Sequence, residues 1–263
     1  MNTRIFGLIG YPLEHSFSVS HFSRKFATEH TDAVYRNYPL KDVAEFPSLV
    51  QSEPGLHGLN VTVPYKEKII PYLDALSQTA RSIGAVNTIC FCRRSGGLAL
   101  TGHNTDVTGF GRSLREHLRD HHKRALVLGT GGSSKAVVHV LEKLGIAFLR
   151  VSRSRGEERV TYEELTAGMM KDHTLVINTT PLGMYPDLES CPPIPYETIT
   201  ADHLLFDLVY NPSKSRFLLQ GEQQGASIVN GYDMLVYQAE ASWEIWNRRP
   251  EDLNENPPEK SEQ

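Results

Sequence analysis

A glycine-rich turn at Gly129-Thr130-Gly131-Gly132-Ser133, an arginine pair at Arg153 and Arg155, Lys66 and Asp106 are the groups in this 263-residue chain best suited to chemistry. The turn follows an apolar run, Ala125 to Leu128, and precedes Ala136, Val137, Val140, Leu141 and Leu144 at helical spacing. A strand, turn and helix in that order put bare backbone amides at a helix N-terminus, where the dipole favours a phosphate. Two glycines let the chain turn tightly and let a pyrophosphate approach the backbone. Ser134 stands where the G-x-G-x-x-G pattern has its third glycine, and a small residue there still permits close helix–strand packing. Taken alone, the turn also reads as an ordinary tight connection between a strand and a helix.

The next strand, Ala147 to Val151, ends in Ser152-Arg153-Ser154-Arg155. A unit that binds NAD places Asp or Glu at this tip to hold the ribose 2′-hydroxyl. Here the carboxylate is replaced by guanidinium groups, whose planar forks suit a 2′-phosphate. The tip therefore predicts NADP as the cofactor; a solvated basic loop is the plainer alternative.

In the first hundred residues, Ser16 and Ser18 lie just beyond a strand, Arg4 to Gly10. They are placed either to cap the following helix, Ser20 to Glu29, or to meet a ligand carboxylate. Asn60, Thr62 and Lys66 lie at or beyond the end of a strand, Leu56 to Val63, broken by Pro64. Lys66 is expected to open a helix over Glu67 to Leu76. A cation is disfavoured at a helix N-terminus, so Lys66 breaks a local rule in the way functional residues do, although a solvated lysine is the common case. Asn87 sits in the apolar run Ala85 to Phe91, where its amide needs partners, structural or ligand. Asp106, after Asn104 and Thr105, either caps the helix Phe110 to Leu118 or serves as a carboxylate in a cleft between two domains.

These groups require an α/β scaffold. Strands are expected at Ala33 to Pro39, Thr174 to Asn178, Leu204 to Val209 and Ser227 to Val229, besides those already named. Helices are expected at Asp42 to Glu53, Phe217 to Gln224 and Tyr232 to Asn247. The domain junction is placed near residues 101–108. Residues 1–101 with 232–247 form the first domain, 102–231 the dinucleotide-binding domain, and 248–263 a disordered tail rich in Pro, Glu and Asn.

Composition excludes several classes. A net charge of −4 gives no nucleic-acid surface, and no run of about 18 apolar residues points to a membrane span. Residues 1–10 enter a strand directly and lack a signal-peptide pattern. Cys90, Cys92 and Cys191 make no disulfide framework, and the eleven histidines show no metal spacing, so no metal is expected. A reducing, cytoplasmic setting fits. The aromatic residues of the last helix fit core packing as well as the face of a homodimer.

Across residues 4 to about 240 the motifs resemble the shikimate dehydrogenase family. They are His15-Ser16-Phe17-Ser18, Asn60-Val-Thr-Val-Pro-Tyr-Lys66, Gly84-Ala-Val-Asn-Thr88, Asn104-Thr-Asp106, Gly129-Thr-Gly-Gly132, Asn178-Thr-Thr-Pro-Leu-Gly-Met184, Asp207-Leu-Val-Tyr-Asn-Pro212 and Asn230-Gly231…Gln238. Each is short, but their joint order and spacing are specific. The resemblance implies an N-terminal α/β substrate-binding domain, a Rossmann-like doubly wound domain for NADP, and a last helix returning to the first domain. It implies NADPH-dependent, reversible reduction of 3-dehydroshikimate to shikimate, a step toward chorismate and the aromatic amino acids.

By that resemblance Lys66 and Asp106 are the catalytic pair. Ser16, Ser18, Asn60, Thr62, Asn87, Tyr210 and Gln238 hold the substrate. Gly129, Thr130, Gly131, Gly132 and Ser133, with Ser152, Arg153, Ser154 and Arg155, hold the cofactor. Thr179 makes a further cofactor contact, and Leu208 and Gly231 lie beside the nicotinamide. The chemistry agrees: hydride addition leaves negative charge on oxygen, which an ammonium group can stabilise and protonate, while a carboxylate can orient the lysine and bond a hydroxyl. The chain departs from the family at Val19, where proline is common, and at Ser152-Arg153-Ser154, where Asn-Arg-Thr is frequent. Quinate or dual quinate/shikimate dehydrogenase is the nearest rival, and a non-catalytic dinucleotide sensor is the rival from another class.

Overall fold

A computed structural model describes residues 3–13, 17–94 and 97–248 of the chain. Ser16, with its neighbour His15, lies outside the described residues, as does the tail from residue 249 onward. Contacts divide the chain after Thr105 and after Gln238. The first unit joins the N-terminal part to the residues from Ala239 onward, and the second is Asp106–Gln238. The sequence-based boundaries, 101/102 and 231/232, fall slightly earlier along the chain.

The first unit is a six-stranded mixed sheet. Its strands are β1 (Arg4–Gly10), β2 (Ala33–Pro39), β3 (Leu56–Val61), β4 (Ala75–Leu76), β5 (Thr88–Arg94) and β6 (Gly97–His103), in the spatial order β2-β1-β3-β5-β6-β4. β1 pairs in parallel with both β2 and β3, while β5 runs antiparallel to β3 and β6. Alternation along β1 sends Ile5 and Ile9 to one face, with Leu56, Leu59 and Ile89, and Phe6 and Leu8 to the other. On that second face Phe6 meets Phe22 and Phe26 of helix α1 (Phe17–Thr28). It also meets Trp246 near the end of the final helix, with a ring separation of 4.8 Å. The Trp246 indole donates to the carbonyl of Ile89 at 3.0 Å and lies over Gly58, where any Cβ would collide with it. Ala239, Ile245 and Trp246 are thus core residues of the first unit.

The expected helix over Glu67 to Leu76 does not form. Turns lead instead to a 3₁₀ turn at Ile70–Tyr72 and to β4. Pro71 lacks an amide hydrogen and its ring opposes the carbonyl four residues back, so the apolar spacing cannot continue as an α-helix. Lys66 therefore opens no helix, and the dipole conflict inferred for it is removed. The segment expected as one helix over Asp42 to Glu53 is a 3₁₀ turn, Val43–Glu45, capped by Asp42, followed by α2 (Phe46–Ser52) with Pro47 in its first turn. A short α3 (Gln78–Ile83) is capped by Ser77 and ends at Gly84 in the left-handed region, at φ 68°.

The second unit is an all-parallel sheet. It contains β7 (Arg124–Leu128), β8 (Ala147–Ser152), β9 (Arg159–Thr161), β10 (Leu175–Asn178), β11 (Leu204–Asp207) and β12 (Ser227–Val229), in the spatial order β12-β11-β10-β7-β8-β9. Numbered within this unit, that is the 3-2-1-4-5-6 order of a doubly wound dinucleotide-binding sheet. The strands are short and apolar on both faces, as helix-covered parallel strands must be. Ala125, Val127, Leu175, Ile177, Leu204 and Phe206 pack on one face, against α4 (Asp106–Arg115) and α5 (Gly132–Lys143). Leu126, Leu128, Val176 and Leu205 pack on the other, with Met170 of α6 (Ala167–Asp172) and Phe217 and Leu218 of α7 (Arg216–Gln223). The last helix, α8 (Tyr232–Trp246), begins here: Met234 joins the first of these faces, and Gly109 of α4 lies so close to α8 that its Cβ would be 2.9 Å from that of Gln238. Among the described residues no helix is long and apolar enough to cross a membrane.

Candidate active site

In the second unit the order of connections reverses between β7 and β10, the kind of point at whose carboxyl strand ends open α/β sheets bind ligands. The glycine turn leaves β7 at that point. Gly129 has φ 109° and donates its amide to Val151 at 2.8 Å. A Cβ on it would stand 2.6 Å from the hydroxyl of Thr179. That hydroxyl is tied to the carbonyl of Leu128 at 2.7 Å, so the fold itself requires glycine at 129. Gly131 differs. It caps α5 with extended backbone at φ −77°, and a Cβ there would meet no protein atom within 4 Å. Nothing in the protein demands glycine at this exposed position, whereas an approaching phosphate would. Ser134, in place of a third glycine, is buried and turns its hydroxyl back to the Gly131 carbonyl at 2.7 Å. The backbone amides of the turn and helix start, with Thr130 exposed and Ser133 partly exposed, make a donor set whose chemistry fits a pyrophosphate.

At the tip of β8, Ser152 is buried and its hydroxyl donates to the Ser154 carbonyl at 2.5 Å, folding the tip back on itself. Arg153, Ser154 and Arg155 are exposed. Arg155 faces Glu164 at 3.4 Å, an exposed pair of little energetic weight. Arg153 faces Tyr162, whose phenol burial pushes up to about 12 against the opposing charge of Arg153. The tip carries the positive charge a 2′-phosphate requires. On the far side of the switch point, Gly231 donates to Val209 at 3.1 Å, and its missing Cβ would stand 2.7 Å from the carbonyl carbon of Leu208. Leu208 and Gly231 are therefore neighbours, each presenting main chain. Tyr210 is half-buried in the loop beyond, and Gln238 is buried with its amide donating to Leu235 at 3.0 Å.

In the first unit, Thr62 and Lys66 follow β3 in a turn held at several points. Thr62 donates to Ile9 at 2.9 Å, and the Lys66 carbonyl accepts from Val86 at 2.7 Å. Tyr65 is buried, with its hydroxyl on the carbonyl of Leu40 at 2.7 Å. Anchors on either side leave the half-buried Lys66 with little backbone freedom. Asn87 precedes β5 and is buried; its side-chain oxygen accepts from the amide of Thr105 at 2.7 Å, and its nitrogen donates to the Thr105 hydroxyl at 3.0 Å. Asn60 lies deeper. It accepts from the Tyr35 hydroxyl at 2.8 Å and donates to Ser242 at 2.9 Å and Thr88 at 3.2 Å. Ser18 is buried near the Tyr35 hydroxyl, whose pKa burial raises. Asp106 is buried at the first residue of α4, where the helix dipole favours its charge.

Residues 8–89 match the family model described as the shikimate dehydrogenase substrate binding domain. The chain is 37% identical to the shikimate dehydrogenase (NADP(+)) of Halothermothrix orenii, over 93% of this chain and 91% of that one. This chain belongs to the shikimate dehydrogenase family. Among solved structures, the shikimate dehydrogenase of Aquifex aeolicus superposes with a TM-score of 0.83 at 30% identity, over 95% of this chain and 96% of that one. The Thermus thermophilus shikimate 5-dehydrogenase, solved in complex with NADP(H) and shikimate, gives a TM-score of 0.81 at 26% identity, over 95% and 96% of the two chains.

As a shikimate dehydrogenase family member, the chain carries buried polar residues that the motifs did not single out as a set. Ser242 of α8, fully buried, bonds Asn60, Thr88 and Thr105, the last two at 2.8 and 3.1 Å, and so underpins Asn87. In the second unit Asn178 and Asp207 end β10 and β11 and bond each other at 2.9 Å. For Asn178 and Asp207 a sequence signal existed, since each closes a short apolar run, whereas Ser242 stands among mixed residues of a helix and carried none.

Proposed function

We propose that the chain catalyses the reversible NADPH-dependent reduction of 3-dehydroshikimate to shikimate, a step in making chorismate and the aromatic amino acids, in a reducing cytoplasmic setting. The observation that carries this reading is the turn at the switch point. Its open Gly131 has no protein neighbour for a side chain, and the adjacent strand tip bears Arg153 in place of an acid. The curated relatives over nearly the whole chain bear the name shikimate dehydrogenase (NADP(+)).

NADPH would supply the hydride. The first unit provides Lys66, whose ammonium group stabilises the developing alkoxide and delivers a proton to it. Asp106 accepts a hydrogen bond from a substrate hydroxyl. Ser16, Ser18, Thr62, Asn87, Tyr210 and Gln238 bind the carboxylate and hydroxyls. Asn60 supports them from within the sheet, since its amide is already engaged by Tyr35 and Ser242. Gly129, Thr130, Gly131, Gly132 and Ser133 cradle the pyrophosphate. Ser152, Arg153, Ser154 and Arg155 take the 2′-phosphate, and Thr179, Leu208 and Gly231 border the nicotinamide.

The test is NADP⁺ reduction followed at 340 nm with shikimate, beside quinate and NAD⁺, for the wild type and Lys66→Ala. A loss of about 10²–10⁴ in kcat for the variant is expected, the usual contribution of a positioned acid–base group. Preference for quinate would move the assignment to that substrate. Undiminished activity of the variant would remove Lys66 from the mechanism.

A further inference from the structure

Asp207, the last residue of β11, is completely buried and is not one of the residues assigned above to chemistry or binding. Its partners are neutral donors. One oxygen accepts from the Asn178 amide at 2.9 Å and from the backbone amide of Val209 at 3.0 Å. The other accepts from the hydroxyl of Ser215, which also caps α7. Asn178 uses its own side-chain oxygen to take the amide of Thr180 at 3.0 Å and the Thr180 hydroxyl at 2.6 Å. Its backbone carbonyl takes the amide of Leu208 at 2.9 Å. One carboxylate therefore joins the loops that leave β10 and β11 and the start of α7, all at the carboxyl end of the sheet.

Burying an ionisable group in a core opposes folding, and an apolar side chain would close the same strand at lower cost. What the carboxylate achieves here is geometric. It holds Val209 by its amide while Gly231 holds Val209 by its carbonyl at 3.1 Å, so Val209 is gripped at both its amide and its carbonyl. Through Asn178 the same group orders Thr180, next to the Thr179 that closes on Gly129.

We propose that Asp207 is a positioning residue for the nicotinamide end of the cofactor, acting through the main chain of Leu208 and Val209 and, by way of Asn178, through the Thr179–Thr180 turn. This rests on the cofactor reading given above. It assigns to Asp207 no contact with substrate or cofactor. It divides the binding surface in two: the adenosine end depends on β7, β8 and Arg153, and the nicotinamide end on Asp207.

The experiment compares Asp207→Ala, Asp207→Asn and Ser215→Ala with the wild type. Direct binding of NADPH and of 2′,5′-ADP, which carries only the adenosine end, is measured by calorimetry, and kcat and KM for NADP⁺ are measured alongside. Asp207→Ala is expected to weaken NADPH, or lower kcat/KM for NADP⁺, by about ten- to a hundredfold, the effect of leaving buried donors unpaired. 2′,5′-ADP should bind within about twofold of wild type, since its site lies on other strands. Asp207→Asn keeps an acceptor for Val209 and Asn178 and should restore most of the loss. Ser215→Ala, a milder change that serves if Asp207→Ala does not fold, should show the same split at smaller size. Parallel weakening of both ligands, or no change in either, overturns the proposal. The binding ratio is read without turnover, so an inactive wild type that still shows the split would sink the reaction assignment and leave the positioning role standing.

Discussion

Gly129 and Gly131 lie two residues apart in one turn, and replacing each by alanine should fail in opposite ways. At Gly131 the backbone is extended with φ −77°, and the new methyl enters open space. Alanine is a poorer helix cap than glycine, but it also lowers the entropy of the unfolded chain by about 0.4–1 kcal/mol, so the two effects nearly cancel. Gly131→Ala should melt within a degree or two of wild type. A phosphate that bonds the turn's amides must come against this position, however, and losing one charge-assisted hydrogen bond costs about 1.5–3 kcal/mol, or roughly 10- to 150-fold in the NADPH dissociation constant. At Gly129 the positive φ of 109° strains any side chain by about 1–3 kcal/mol. The methyl would also stand 2.6 Å from the Thr179 hydroxyl and displace it from Leu128, adding about 1 kcal/mol. Gly129→Ala should then lower the melting temperature by roughly 4–16 °C, at about 2–4 °C per kcal/mol. Calorimetric titration with NADPH and thermal melts of both variants decide the matter. Wild-type affinity in Gly131→Ala would refute the placement of the pyrophosphate at this turn, and wild-type melting of Gly129→Ala would refute the argument from its backbone.

Arg153→Ala should weaken NADP⁺ by about 10- to 150-fold while leaving NAD⁺ nearly unchanged, because in the proposed site the guanidinium binds only the 2′-phosphate. Steady-state KM values for both cofactors check this, and equal losses would count against the assignment of Arg153. Burial raises the Asp207 carboxyl from 3.8 to about 6, against the opposing pull of its three donors. A raised folded-state value favours the native protein below pH 3.8, and that advantage is lost as the pH climbs through about 6. Asp207→Asn, which does not titrate, should therefore gain on wild type across that window by up to about 3 kcal/mol, read from urea midpoints at a series of pH values. A constant difference between the two proteins from pH 4 to pH 7 would contradict the titration.

The sequence by itself determined most elements of the nucleotide-binding half, because each of these rests on a local signal, though it determined neither β9 nor α6. A short apolar run, a glycine turn and a helical repeat specify β7, the turn and α5 without reference to distant residues, and the arginine at the tip of β8 is read from its place beyond a strand. The motif spacing likewise carried the family. Local signals misled where one residue overrode a pattern: Pro71 turned an apparent amphipathic helix into turns and a two-residue strand, and with it removed the reason first given for singling out Lys66. What only the tertiary structure decided is the use made of each polar group. Asn60 and Asn87 look alike in sequence, each an amide among apolar neighbours. Asn60 is engaged by Tyr35, Thr88 and Ser242, the last 182 residues away, while Asn87 grips the backbone of Thr105. Ser242, on a helix of mixed residues, lies even further from any local rule. Hydrogen-bond partners are chosen by distance in space, and distance in space between remote segments exists only once the sheets have formed.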